Sequence, residues 1–309
     1  MPQLTAQRPR VVTLERICEA LDGASRSYVV DVYDSRRTVM VPGTTATSYI
    51  DLVSGVLRVR SVWRATVSIH ERPRLLPYVL HHNREAVGPR VVTYLHGNHY
   101  HLCAQTNVQV TVGMGDQQLE AHLLLALIMT DRFFSGVEAD FPCELDAETD
   151  FSHHDLLPKQ HIVQIVPGFS DNSLTAPVSV ESVAQAAARL DLRVYRDGTV
   201  LRLRDSDDLM VLRLFGEDTW LSTSLLVELG QPFPAENLFD AINELNTFNA
   251  LGVTSVLGMR TQPYLRFDYL VSVGEGLSER QLDTEIVTGM SVTQNLAASL
   301  RKKSPTLFL

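Results

Sequence analysis

The chain is short of several things, and each shortage excludes something. Of its 309 residues only three are lysine (Lys159, Lys302, Lys303), against 24 arginines. That skew reads as the codon bias of a GC-rich genome. No apolar run approaches the roughly 18 residues that a membrane-spanning helix needs, so no membrane partner is expected. No apolar segment follows the first arginines of MPQLTAQRPR, so no signal peptide is expected. There are three cysteines (Cys18, Cys103, Cys143), scattered and odd in number, which argues against a disulfide framework and for the reducing cytoplasm. The chain also lacks the basic excess that phosphate neutralisation needs, so no nucleic acid partner is expected.

The charge is uneven. Residues 1–143 carry 14 Arg and 13 acids, while residues 144–309 carry 13 Lys and Arg against 23 acids. The net of −9 therefore comes from the second half.

The most informative feature present is internal similarity. RLLPYVLHHNREAVGPRVV (74–92) aligns with NLFDAINELNTFNALGVTS (237–255) at an offset of 163. The same offset carries Asn83 to Asn246, Val108 to Val271, Gly113 to Gly276 and Gln118-Leu119 to Gln281-Leu282. We read a tail (1–10), a first domain (11–143), a connector (144–176) and a second, diverged copy (177–309). The connector holds six acids and one Lys, and HIVQIV within it reads as a strand.

Each copy gives the string α-β-β-β-α-β-β-α. The opening helices are TLERICEAL and SVESVAQAAARL, with Thr13 and Ser179 as N-caps. The first strands are YVVDVY and TVMVP in one copy, TVLRLR and LMVLRLF in the other. Longer strands follow, at 56–67 and 220–230. A helix, a hairpin and a closing helix complete each copy, and Ser278 to Gln281 forms a capping box. Strands grouped with hairpins, rather than βαβ alternation, predict an α+β fold with antiparallel sheets. The helix LEAHLLLALIMTDRFF is apolar nearly all round, so the other copy is expected to cover it.

Leu57, Val59, Trp63, Asn83, Pro89, Val108, Val110, Gly113, Asp116, Gln118, Leu119 and Phe134 carry a resemblance to the YbjN family, proposed bacterial sensory-transduction regulators. The second copy keeps Asn246, Val271, Gly276, Gln281 and Leu282, with Val227 where the first has Trp63. That family is similar in fold to type III secretion chaperones, which bind unfolded segments of other proteins and are usually dimers. The resemblance implies a non-enzymatic, protein-binding adaptor or regulator, with no cofactor and no catalytic residues. It fits a monomer with pseudo-dimeric domains or a homodimer. A dedicated secretion chaperone for one cargo differs only in partner.

Several local features carry chemistry. His99, His101 and Cys103 share one face of a strand. They offer a set of metal ligands and an alternative reading as a metal sensor or metal-dependent enzyme. Their face is the non-apolar phase and is expected to be wet. The strand at 56–67 places Arg58, Arg60 and Arg64 on its own polar phase. Three guanidiniums in a row repel unless an anion neutralises them. The connector, an acidic peptide or phosphate are the candidate anions. Arg58, Arg60, Arg64, His99 and His101 are thus the expected partner-binding residues. VGMGDQ lacks a phosphate loop's Gly-Lys-Ser/Thr end, so Gly113 and Gly115 are read as turn residues with Asp116 capping the next helix. Trp63 reads as core, and Asn83 and Asn246 as C-terminal helix caps.

Overall fold

The computed structural model describes residues 6–33, 36–145, 173–203, 208–229, 235–258 and 263–308. The expected HIVQIV strand and the histidines 153, 154 and 161 lie outside the described residues.

The first half runs α1 (Leu14–Gly23), β1 (Val29–Tyr33), β2 (Arg36–Pro42), β3 (Ala46–Val53), β4 (Val56–Trp63), β5 (Ala65–Ser68), α2 (Arg72–Glu85), β6 (Arg90–His96), β7 (His99–Gln109), α3 (Asp116–Asp140) and β8 (Cys143–Leu145). The second half runs α4 (Val180–Arg189), β9 (Val194–Asp197), β10 (Val200–Leu203), β11 (Leu209–Phe215), β12 (Trp220–Glu228), α5 (Ala235–Phe248), β13 (Gly252–Leu257), β14 (Tyr264–Ser272) and α6 (Glu279–Lys303). One sheet has the order β1-β2-β3-β4-β7-β5-β8, with β6 also on β7, and the other β13-β14-β12-β11-β10-β9. Every described strand pair is antiparallel, so the fold is α+β. α2 and α5, and α3 and α6, begin and end 163 positions apart, the offset read from the sequence.

Before its middle helix the second half has one strand more than expected and the first half two, β3 and the break of the expected 56–67 strand into β4 and β5. β3 was hidden because ATSYIDLV mixes Thr, Ser and Asp with its apolar residues and shows no clean alternation. Its hairpin to β4 turns on Ser54 and Gly55, both at positive φ (50° and 78°), the geometry of a tight two-residue hairpin. β9 was hidden by its length of four residues, and Gly198 at φ 62° turns it into β10.

The caps follow the sequence where the chemistry is local. Thr13 accepts from the Arg16 N–H, Ser179 from Ser182 and Ser278 from Gln281. Asp116 departs from expectation. Gly115 is the N-cap, and Asp116 instead binds Arg10 at 2.5 Å and Arg16 at 2.7 Å, tying the lead-in segment to α3. Asn83 and Asn246 also depart from expectation, since each sits inside its helix and is buried. Asn83 exchanges two hydrogen bonds with the main chain of Val91, and Asn246 does the same with Thr254. The amide has one donor and one acceptor side, so it docks a helix onto the next strand as a strand neighbour would.

Trp63 is core, as read. Its ring stacks on Phe134 at 5.9 Å, and its indole N–H donates to Glu138 at 3.0 Å. The largest apolar cluster draws from both halves, Ile17 and Leu57 with Ile286 and Leu296 among them. α3 is not fully covered by the second half. Leu119, Leu123 and Phe134 are buried, but Ile128 stays 54% exposed.

Candidate functional site

The first sheet has an inner face, under α1 and α3, and an outer face that the sequence marks as polar. Register sets the outer face in rows. Arg60 on β4 lies between Tyr49 on β3 and Gln105 on β7, and Gln105 pairs onward with Arg90 on β6. The next row is Asp51, Arg58 and Asn107.

The expected wet face is buried. Arg58 and Arg60 are each only 6% exposed, and His101, Cys103 and Gln105 are buried with them. The reason is tertiary, because the second half lies on this face. Asn243 of α5 binds the main chain of Thr93 on β6 in both directions, at 3.0 and 2.9 Å. Asn107 donates to the Ala250 carbonyl at 2.6 Å, and Arg90 donates to the Gly252 carbonyl and to Gln105. In return, Arg266 of β14 donates to the Arg84 carbonyl at the end of α2.

The anion for the arginine ladder is Asp51, on the strand that sequence reading missed. Arg58 grips its two oxygens at 2.7 and 2.5 Å, and Arg60 reaches it at 2.9 Å. Two guanidiniums on one carboxylate leave this buried group net positive. Burial pulls the Arg60 guanidinium down, against the opposing pull of Asp51. Burial pushes the Cys103 thiol up to about 11, so at neutral pH it is an uncharged thiol.

The five expected partner-binding residues are therefore split. Arg58, Arg60 and His101 are inside. Arg64 is half-buried and donates to Thr47 at 3.4 Å. His99 is half-exposed, with Glu144 at 3.7 Å. Among the described residues, no three His, Cys, Asp or Glu side chains converge as a metal-ligand set. His99, His101 and Cys103 lie two residues apart along one strand, and His101 meets the His96 ring at 6.1 Å instead.

A furrow opens where this face ends. β6 begins opposite Gln105, so the β7 edge beyond it is uncovered, and β13 likewise stops short of residues 270–272 of β14. Both edges line one cleft of about 70 Å³ between the halves. A second cleft of about 40 Å³ shares Val108, His122, Val271 and Ser272 with it. His122 of α3 and Glu285 of α6 lie in the buried floor, again 163 positions apart. Burial lowers the His122 pKa to about 4 and raises that of Glu285 to about 7. The Tyr269 hydroxyl binds Glu285. Sequence reading missed this pair because both residues sit singly in long helices without a motif.

No family model and no curated protein matches the chain. Among solved structures, the crystal structure of YbjN from E. coli matches at a TM-score of 0.38 and 14% identity, covering 42% of this chain and 96% of that one. The HopA1–SchA chaperone–effector complex matches at a TM-score of 0.30 and 17% identity, covering 41% of this chain and 99% of the matched one. Among the described residues, no helix is long and apolar enough to cross a membrane.

Proposed function

We propose that this chain is a cytoplasmic, non-enzymatic adaptor or chaperone-like regulator, built as two copies of one domain that form an intrachain pseudo-dimer. Fusion makes their association intramolecular, at high effective concentration. The partner is an extended or unfolded segment of another protein.

The observation that carries this reading is the free edge of the first sheet. β1 is the outermost strand, paired on one side with β2. Its Val29, Val30 and Val32 are 62, 39 and 67% exposed. An edge strand with bare valines is a template for an added strand, which here would displace the Asp31 carboxylate from the Val32 N–H it holds at 2.7 Å. The main chain supplies affinity and the valines supply apolar contact. Arg64 and His99, which keep solvent contact, supply the acidic-peptide preference on a separate rim.

The test is a Val29→Lys/Val32→Lys double variant. Partners are identified by co-purification with the wild-type chain and mass spectrometry, and affinity is then measured by titration. A folded double variant should bind at least tenfold more weakly. Unchanged affinity in a folded variant overturns the reading. A single recurrent cargo would identify a dedicated secretion chaperone.

A further inference from the structure

Arg90 is a half-buried residue whose Nε is fully out of solvent, and its polar contacts are all neutral. Its guanidinium donates to the Gly252 and Ala250 carbonyls and to the Gln105 side chain. Among the described residues no carboxylate forms an ion pair with it. The same sheet face holds Arg58 and Arg60 with Asp51 as their shared counter-ion. This face thus carries three guanidiniums and a single carboxylate, which two of them share. A charge taken from water and met only by neutral dipoles keeps much of its desolvation cost, so this face favours one more anion.

The cleft beside Arg90 also holds unmatched polar atoms. Arg90 Nε, Thr106 Oγ1, Asn107 Oδ1 and His122 Nε2 are buried and have no hydrogen-bond partner. The four residues all line the same cleft. The His122 ring interacts with the Thr106 main chain through its other nitrogen, and burial keeps the ring neutral, which leaves Nε2 as an acceptor. The unmatched set is therefore one cationic donor, one hydroxyl and two acceptors. Buried polar atoms of this kind call for a ligand or ordered water.

We propose that this cleft binds a small carboxylate that also carries a hydroxyl or amino group. The carboxylate answers Arg90 and Thr106, and the ligand's O–H or N–H answers Asn107 and His122. A space of about 70 Å³ suits an acid of a few heavy atoms. Val87, Leu251 and Leu270 leave room only for a short aliphatic part. Asp268, the acid lining the cleft, is already engaged by Arg266 at 2.5 Å and Ser224 at 2.6 Å. Ligand contacts would come from both halves, so binding would tighten the seam.

The test uses the full chain with glycolate, glycine, acetate and inorganic phosphate as probes, read by thermal shift. Glycolate or glycine should give a saturable rise in Tm larger than that of acetate, with phosphate near baseline. Arg90→Gln should weaken the effect at least tenfold. No saturable rise with any carboxylate, an equal rise with phosphate, or an unchanged rise in a folded Arg90→Gln variant overturns the proposal. Because Arg90 also staples the halves, amide hydrogen exchange on the unaltered chain provides a second reading. Glycolate or glycine should slow exchange at 105–108 and 250–253. No slowing there means ordered water only, and overturns the proposal.

Discussion

Gln118 and Gln281, 163 positions apart, hold the two halves together by the same bonds made in both directions. Each accepts from the N-cap N–H of its own helix, at 2.7 and 2.9 Å. Each then donates across the seam, Gln118 to the Gly276 carbonyl at 2.6 Å and Gln281 to the Gly113 carbonyl at 2.9 Å. The two amides also meet, at 3.3 and 3.0 Å. Gly113 and Gly276 have positive φ (86° and 71°), and a Cβ would fall 2.5 Å from the Arg10 carbonyl oxygen or 2.6 Å from that of Ala176. The "QL" repeat of the sequence is therefore also a seam.

Replacing Gln118 with Leu removes its own cross-seam bonds, keeps that of Gln281 to Gly113, and leaves the Gly276 carbonyl unpaired in a buried place. The expected loss is about 1–3 kcal/mol. The same holds for Gln281→Leu. Because the amides touch, the double variant should be non-additive by about 0.5 kcal/mol or more. Urea denaturation of the four proteins measures this, and strict additivity would contradict a shared network.

Asp51 is the shared counter-ion of two buried arginines. Asp51→Asn should cost about 3–5 kcal/mol, since it strands two charges out of water. Asp51→Asn with Arg58→Met and Arg60→Met should recover much of that loss. A denaturation midpoint for Asp51→Asn within error of the parent would show that the cluster is solvated.

Asn83 docks α2 onto β6 with two buried main-chain bonds, at 2.7 and 2.8 Å. Asn83→Ala should destabilise by about 2–4 kcal/mol, two buried groups being left unsatisfied. Asn83→Asp should fail to restore stability, because the carboxylate cannot donate to the Val91 carbonyl. Thermal and urea unfolding with near-ultraviolet circular dichroism check both variants.

His122 and Glu285 set opposing pH dependences. Folded His122 titrates near 4 against an ordinary 6.5. The unfolded chain therefore binds more protons in that window, and stability is lost as pH falls from 6.5 to 4. Folded Glu285 titrates near 7 against an ordinary 4.5. The folded chain binds more protons there, and stability is lost as pH rises from 4.5 to 7. Each contribution is about 3 kcal/mol, so from these two groups the wild type should be nearly flat between 4.5 and 6.5. Glu285→Gln should show stability rising with pH across this window, and His122→Gln should show it falling. Urea midpoints at pH 4, 5, 6, 7 and 8 separate the two slopes. Parallel profiles in both variants would exclude this assignment.

Local chemistry was legible in the chain itself. Thr13, Ser179 and Ser278 act as caps because a hydroxyl needs only the next turn to find its N–H. Trp63 and Leu57 were legible as core because strand alternation reports which side chains share a face. The 163 offset anticipated which helices would match, since it spans whole elements. β3 was not legible, because its polar residues serve neighbours rather than solvent: Ser48 meets Ser61 at 2.7 Å, and Asp51 meets Arg58 and Arg60.

By itself, then, the sequence determined the α+β class, the main helices and the alternation of the long strands, all of which depend on neighbours a few residues apart. Tertiary structure alone decided that the polar face of the first sheet is dry around Arg58, Arg60, His101 and Gln105. Alternation separates two faces of a strand but does not say what lies over each. Asn243, Ala250 and Gly252 of the second half lie over this one, more than 140 positions from the residues they touch. That covering turned an expected basic surface into an internal ion cluster, and opened at its end the cleft beside Arg90 and His122.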